Sequence, residues 1–391
     1  MSEKKTFTLL FIQLFILGVG GSIVGPLIPI ISDNFRVSLD IVGSTLSLNA
    51  FGLLLASMFS GILSERLGKN KVLIAASILF SISFLSLYLS GNFIYFTISY
   101  FVFGISWGII SLICNSLISD IFDSNRSSQI IRINIGFMLG AAFAPLIVGC
   151  ILFFNVNWRY LFLFIALANA ILFIFMLFFK NRIYIEKKDK ENFASLFSNS
   201  HRLLSNPVII FCGIICFLHA GLGFSFGSWF TTYFKSINVP VNISSLILSL
   251  NTFVFCAGMF VQSFLLNKLS EERLMQFLSI PAFIFLFTAF ISDNLIVKIV
   301  FIALFQFAFS GIAATSISTG IKENPRYSAS ITGLVNSFSF AGTIIFQYMA
   351  GYLMENYSKS SIFYTSLSAL FLMIITTSIL NSYSGRKRKT S

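Results

Sequence analysis

The sequence predicts an all-α membrane protein with twelve transmembrane helices in two pseudo-symmetric six-helix bundles, both termini cytoplasmic. Three observations carry this. Of 391 residues, 56% are hydrophobic and 10% charged, with a mean hydropathy of +0.89. A soluble chain averages about 25% charged residues, so the polar groups here are too few to cover a soluble surface. Apolar runs long enough to cross a bilayer recur along the whole chain, and the two halves repeat at a constant offset of 202 residues. The composition excludes a soluble enzyme, a disordered chain and a disulfide scaffold.

The runs can be taken in order. Phe7–Ile31 follows Lys4-Lys5 in the manner of a signal peptide. At about 25 residues it is longer than a signal h-region, and no small-residue cleavage site follows Pro26 and Pro29, so it is read as the first span. The second is Ile41–Ser64. Val72–Ser119 is free of charge for 48 residues, too long for one span, and breaks at Ser90-Gly91-Asn92 into a third and fourth. The fifth and sixth cover Ile133–Phe154 and Tyr160–Phe179. Asn206–Phe234, Ile243–Leu266, Leu274–Ser292, Leu295–Ile321, Tyr327–Met354 and Ile362–Ser382 complete the twelve. Each can cross about 30 Å of hydrocarbon as a helix, and none alternates as barrel strands do. Lys180–Ser205 is the longest hydrophilic stretch. It divides the chain into an N-terminal bundle over 1–180, a cytoplasmic central loop over 181–205 and a C-terminal bundle over 206–391 with a basic tail.

The formal charge of +12 is a topology signal. With both termini inside, Arg36, Arg159, Lys235, Lys298 and Lys359 fall outside and the other 21 of the 26 basic residues inside. The positive-inside rule therefore fixes the orientation, and no nucleic-acid partner is needed to explain the charge. The tail Arg386-Lys387-Arg388-Lys389 is read as an orientation signal that could also touch anionic lipid. Cys114, Cys150, Cys212, Cys216 and Cys256 all lie within spans, which excludes a disulfide framework. Cys212 and Cys216 share a helical face, but a metal site would need further ligands, and they are read as packing.

At the offset of 202, Gly21-x-x-x-Gly25 falls on Gly223-x-x-x-Gly227, and Leu48-Asn49-Ala50-Phe51 on Leu250-Asn251-Thr252-Phe253. Asn92 falls on Asn294, and Asn134, Gly140 and Gly149 on Asn336, Gly342 and Gly351. Parallel six-span repeats are the architecture of one large group of secondary transporters, with the substrate site near mid-membrane between the repeats.

The loop after span two reads Gly61-Ile62-Leu63-Ser64-Glu65-Arg66-Leu67-Gly68-Lys69-Asn70-Lys71. It resembles the G-x-L-x-D-R-x-G-R-K loop of the major facilitator superfamily, with Asn267–Arg273 as a worn copy in the second half. Gly140-x-x-x-Ala144-Pro145-x-x-Val148-Gly149 is similar to the G-x-x-x-G-P-x-x-G-G motif of that family's antiporter branch, with two glycines replaced. Trp158-Arg159 opens span six as W-R-x-x-F does in the family, and the stretch from Asn115 to Pro145 resembles sugar-type members. The resemblance implies a conformational latch made of Gly61, Glu65, Arg66, Gly68, Lys69 and Asp120 at the inner membrane face. The alternative is that these are loop charges obeying topology.

All 14 acids lie in loops or at span ends, and the span-four arginine of many proton-linked relatives is replaced by about Tyr100. The usual route of proton coupling is thus in doubt. His219, near the middle of span seven, is the remaining candidate for proton coupling, the alternative being a neutral histidine bonded to a neighbouring helix. Asp33, at the outer end of span one, is a second candidate or a helix-end charge. Arg132 is read as snorkelling to the inner surface.

Amides in lipid are costly, so those within spans should face protein or a water-filled cavity. By resemblance, Asn115, Asn134, Asn336, Gln347, Trp107, Trp229 and Tyr348 would line the substrate cavity. Interhelical hydrogen bonding could account for many of these amides instead. Gly223-Phe224-Ser225-Phe226-Gly227 matches a nucleophile-elbow pattern, but it lies inside an apolar helix with no acid partner and is rejected.

The sequence thus predicts a secondary transporter of a small neutral or amphipathic solute, exporting drug-like compounds on the strength of the Pro145 motif. Uptake of a sugar-like metabolite is the alternative, and a membrane-embedded enzyme or a non-transporting sensor is the alternative from another class. No cofactor or metal is expected, though a proton gradient could drive transport. The expected partners are solute and membrane lipid, around a monomer in the plasma membrane.

Overall fold

The computed structural model describes residues 3–122, 126–179, 205–266, 268–324 and 327–390. The predicted central loop thus lies, but for Ser205, outside the described residues, as do the side chains of the basic tail. Among the described residues there are fourteen helices and no strand. The first seven are α1 (Glu3–Ser22), α2 (Val24–Phe35), α3 (Leu39–Leu67), α4 (Lys69–Leu89), α5 (Phe93–Ile121), α6 (Arg126–Phe153) and α7 (Arg159–Phe179). The rest are α8 (Pro207–Ser236), α9 (Val241–Leu265), α10 (Glu271–Ile291), α11 (Leu295–Phe309), α12 (Ile312–Glu323), α13 (Ser328–Asn356) and α14 (Ser361–Thr390).

Among the described residues, eleven helical segments are long and apolar enough to cross a membrane, with α1 and α2 together making one and α11 and α12 another. The predicted eleventh span, Tyr327–Met354, forms α13, whose 29 residues are ample in length, but it is not one of these eleven. Its polar content is the physical difference: Thr332, Asn336, Ser337, Ser339, Thr343 and Gln347 dilute the apolar residues.

Prolines shape the first span. Pro26 and Pro29 lack the N–H that would bond Ser22 and Gly25, and the helix breaks at Ile23 between α1 and α2. The Thr231 hydroxyl of α8 supplies a donor in the membrane, lying 3.3 Å from the Gly25 carbonyl and 3.2 Å from that of Pro26. Gly68 turns the chain from α3 into α4 at φ +88°, a left-handed conformation that favours glycine.

The duplication is visible in the packing. A Cβ on Gly140 would stand 2.0 Å from the Phe15 carbonyl oxygen, and one on Gly342 would stand 2.0 Å from that of Phe217. These are the same crossing 202 residues apart: α6 on α1 and α13 on α8. A neighbouring contact is conserved with its sizes exchanged, Gly136 against the Phe11 ring and Gly213 against the Phe338 ring. Asn92 caps α5 and Asn294 caps α11, each through its side-chain oxygen.

The chain divides into two compact units, one of Met1–Phe193 with Phe230–Ser249 and one of Ala194–Trp229 with Leu250–Ser391. The first unit is centred on buried rings, with Phe103 edge-on to Phe80 and Phe84. In the second, Phe226 stands edge-on to Phe305 and Phe363.

Candidate functional site

In the first unit, α5 and α6 bring Asn115 and Asn134 together. Asn134 Nδ2 donates to Asn115 Oδ1 at 2.7 Å and to its own helix at the Ile130 carbonyl, 2.8 Å away. Asn115 Nδ2 donates to the Ser111 carbonyl at 2.8 Å. Both of Asn134's N–H groups are thus committed, which leaves its Oδ1 and one N–H of Asn115 without a partner among the described residues. These half-buried groups present one acceptor and one donor side by side, the complement of a hydroxyl or amide. Trp107 of α5 is buried, stacked on Phe103 and tilted against Phe137, with its ring over Gly21, where a Cβ would come within 2.7 Å.

In the second unit, Gln347 of α13 is buried and donates from Nε2 to Ser228 Oγ at 3.0 Å and to the Phe224 carbonyl at 3.2 Å. Its Oε1 is shut from solvent with no donor among the described residues, and so is Trp229 Nε1 with no acceptor among them. An unmatched buried polar atom costs about 1–3 kcal/mol, so this acceptor and this donor, like Gln262 Oε1 and Ser270 Oγ of the same unit, gain from a ligand or water. Asn336, the counterpart of Asn134, is half-buried with no hydrogen bond to another described residue, because Ile317 stands at the position corresponding to Asn115. Tyr348 is exposed and stacked on Tyr352.

Two further amides within spans, Asn49 and Gln13, are held in packing. Asn49 donates to the Tyr100 carbonyl at 2.7 Å. Gln13 joins a buried network with Asn169, which is not among the predicted site residues: Gln13 Nε2 donates to Asn169 Oδ1, while Asn169 Nδ2 donates to the Ser77 carbonyl and Ser81 Oγ. The signal for Asn169 was available, as the lone amide in the apolar run of α7.

Of the predicted latch, Lys69 and Asp120 form an ion pair at 2.5 Å, half-buried, between the start of α4 and the end of α5. Glu65 and Arg66 are exposed on the last turn of α3 and Gly61 is half-buried. At the corresponding positions of the second unit the charges are exchanged: Glu271 opens α10 and meets Lys322 of α12 at 3.0 Å. Glu271 is further held by Ser318 Oγ at 2.6 Å and Thr319 Oγ1 at 3.1 Å.

Asp33 lies 2.5 Å from Lys235 Nζ, its own counterpart at the offset of 202, in an exposed pair at the ends of α2 and α8. His219 is buried in α8, its Nε2 donating to the Phe309 carbonyl at 3.0 Å and its ring stacked on Phe309 at 4.0 Å. In α6, Pro145 lies within the helix, and a Cβ on Gly149 would come 2.9 Å from the Asn242 carbonyl of α9. Ser249 of α9 donates to the Ala142 carbonyl at 2.7 Å.

Comparison with known proteins gives consistent results. The sequence model of the Major Facilitator Superfamily matches residues 10–346. A protein named TsgA homolog from Buchnera aphidicola subsp. Baizongia pistaciae is 24% identical over 350 residues, covering 89% of this chain and 88% of the relative. Multidrug resistance protein 2 of Bacillus subtilis is 24% identical over 394 residues, covering 96% and 94%. Among solved structures, the nucleoside transporter NupG matches with a TM-score of 0.81 at 15% identity, covering 96% of this chain and 99% of that one. A D-xylose-proton symporter matches with a TM-score of 0.78 at 12% identity, covering 96% of each.

Proposed function

The chain belongs to the Major Facilitator Superfamily, and from that premise we propose that it carries a small neutral or amphipathic organic solute across the plasma membrane by alternating access. The observation that supports this solute class is the pair Asn115–Asn134, which among the described residues offers one free acceptor and one free donor with no ionised side chain bonded to either. The buried Trp229 N–H and Gln347 Oε1 add the same two kinds of polar atom on α8 and α13. A phosphate or carboxylate would call for cations, whereas hydroxyl, amide and ring groups suit these residues. We assign twelve spans, with α13 as the eleventh, cytoplasmic termini and a monomer surrounded by lipid.

Export of an amphipathic compound is the direction we favour. It is supported by Gly140, Pro145 and Gly149, with Gly149 set against the α9 backbone, and by the similarity to a relative named for multidrug resistance. Uptake of a sugar-like or nucleoside-like metabolite is the second reading, favoured by the hydroxyl-matching geometry at Asn115 and Asn134.

Purified protein in liposomes, offered D-xylose, uridine and a lipophilic dye at two pH gradients, tests both. Dye movement with no sugar or nucleoside flux is expected for export. Xylose or uridine flux without dye movement overturns the export assignment and leaves the transporter. Absence of flux for every solute class tested, in vesicles shown to be sealed, overturns the solute class.

A further inference from the structure

The helix formed by α11 and α12 is interrupted at Ser310 and Gly311, in the middle of a span of 29 residues. Its counterpart α5 runs unbroken from Phe93 to Ile121, so the interruption belongs to the second half alone. A break within the membrane strips the last carbonyls of α11 of helical partners, and lipid offers none. Each of the three is met by a side chain. Gln262 of α9 donates from Nε2 to the Phe307 carbonyl at 2.7 Å and to that of Ala308 at 3.1 Å, and Ser310 Oγ donates to Phe307 at 3.0 Å. His219 of α8 donates to the Phe309 carbonyl at 3.0 Å.

The donors are as specific to the second half as the break. At the offset of 202, His219 corresponds to Leu17, Gln262 to Ser60 and Gly311 to Ile109. Gly311 is required by the same arrangement, since a Cβ there would stand 2.1 Å from Gln262 Oε1. Stacking on the Phe309 ring at 4.0 Å, with an interplanar angle of 10°, fixes the imidazole so that Nε2 faces the carbonyl. The ring takes part in no ion pair among the described residues.

We propose that His219 and Gln262 form a neutral clamp that holds the break at Ser310–Gly311 and so fixes the point at which α12 departs from α11. His219 is then a positioning residue that works as an N–H donor in its uncharged form, and it carries no proton through the transport cycle. This rests on the transporter reading only for the expected effect on turnover; the hold on the break is independent of it.

Hydrogen exchange of peptides covering 307–316, in the full-length protein in detergent at pH 6 and pH 8, tests the hold directly. His219→Ala strands a buried acceptor and is expected to speed exchange there by roughly 5- to 100-fold, with segments in the first unit unchanged. His219→Gln keeps an N–H donor at similar reach and is expected to restore exchange to within about threefold of the parent, a margin under 1 kcal/mol. Gln262→Leu is expected to speed exchange in the same peptides, which serves should His219→Ala fail to fold. After correction for intrinsic rates the parent is expected to exchange equally at the two pH values. In liposomes carrying whichever of xylose, uridine or dye is moved, His219→Ala should lower kcat with KM kept, and His219→Gln should recover it with the pH profile unmoved. Unchanged exchange in both the His219→Ala and Gln262→Leu proteins overturns the clamp. So does a His219→Gln protein as defective as the alanine variant, or one that has lost its response to a pH gradient. Exchange that behaves as expected in a protein that moves none of the three solutes leaves the clamp standing and counts against the proposed solute class.

Discussion

Asn134 shows how a single residue can carry two roles. Its N–H groups satisfy Asn115 Oδ1 and the Ile130 carbonyl, and its Oδ1 stays available. Asn134→Leu removes that acceptor together with two half-buried bonds, each worth about 1 kcal/mol or less. The expected outcome is a KM raised by about 5- to 10-fold with the melting temperature nearly unchanged, measured on the solute that the liposome panel identifies. Gly140 and Gly342 make the opposite case, since each is small because a carbonyl lies 2.0 Å from where its Cβ would be. Backbone cannot retract as a flexible side chain can, so Gly140→Val and Gly342→Val are each expected to destabilise by more than about 2 kcal/mol. Size-exclusion profiles and melting of the purified variants check this; equal tolerance of valine at either position would mean that the helices separate easily. The residue types at these places were legible from the 202-residue repeat. That Asn115 is the partner of Asn134, and that Asn336 has none among the described residues, was not, because pairing depends on which helix faces which.

Between elements, ion pairs at corresponding positions act differently because helix ends are polar. In the first unit, Lys69 sits at the N-terminus of α4 and Asp120 at the C-terminus of α5, so each charge opposes the dipole of its own helix. In the second, Glu271 opens α10 and Lys322 closes α12, and each charge agrees with its helix. Exchanging the first pair, Lys69→Glu with Asp120→Lys, keeps the attraction and corrects both ends. It is expected to raise stability by about 1 kcal/mol. If this pair opens during the cycle, as the resemblance implies, the exchange should also slow turnover; faster melting, or turnover equal to the parent's, would count against that. The basic residues that the assigned orientation places outside are tied down as well. Arg159 donates to the Ser90 carbonyl at the end of α4, and Lys298 to the Ala289 carbonyl near the end of α10, at 3.0 Å. Lys235 pairs with Asp33 and Lys359 with Glu355. Four of the five exceptions to the positive-inside count thus have a structural employment that the count could not reveal.

For the molecule as a whole, the orientation yields a direct test. With Asn70→Cys and Asn238→Cys introduced one at a time into a chain whose five native cysteines are replaced, an impermeant maleimide added to intact cells should label position 238 and spare position 70. The reverse result would invert the assigned topology. Family, helical class and repeat were all determined by the sequence itself, because lipid demands long apolar helices and because a duplicated chain keeps its glycines and caps at one offset. Tertiary structure alone decided what the scarce polar groups do. His219, which the sequence offers as a titratable group in mid-span, donates to a carbonyl exposed by a helix break that no periodicity announces. Asp33 meets Lys235, and Glu65 is left outside the pair that Lys69 makes with Asp120. The reason is physical: a polar group in a membrane must find its partner across helices, and composition records the demand without recording which neighbour meets it.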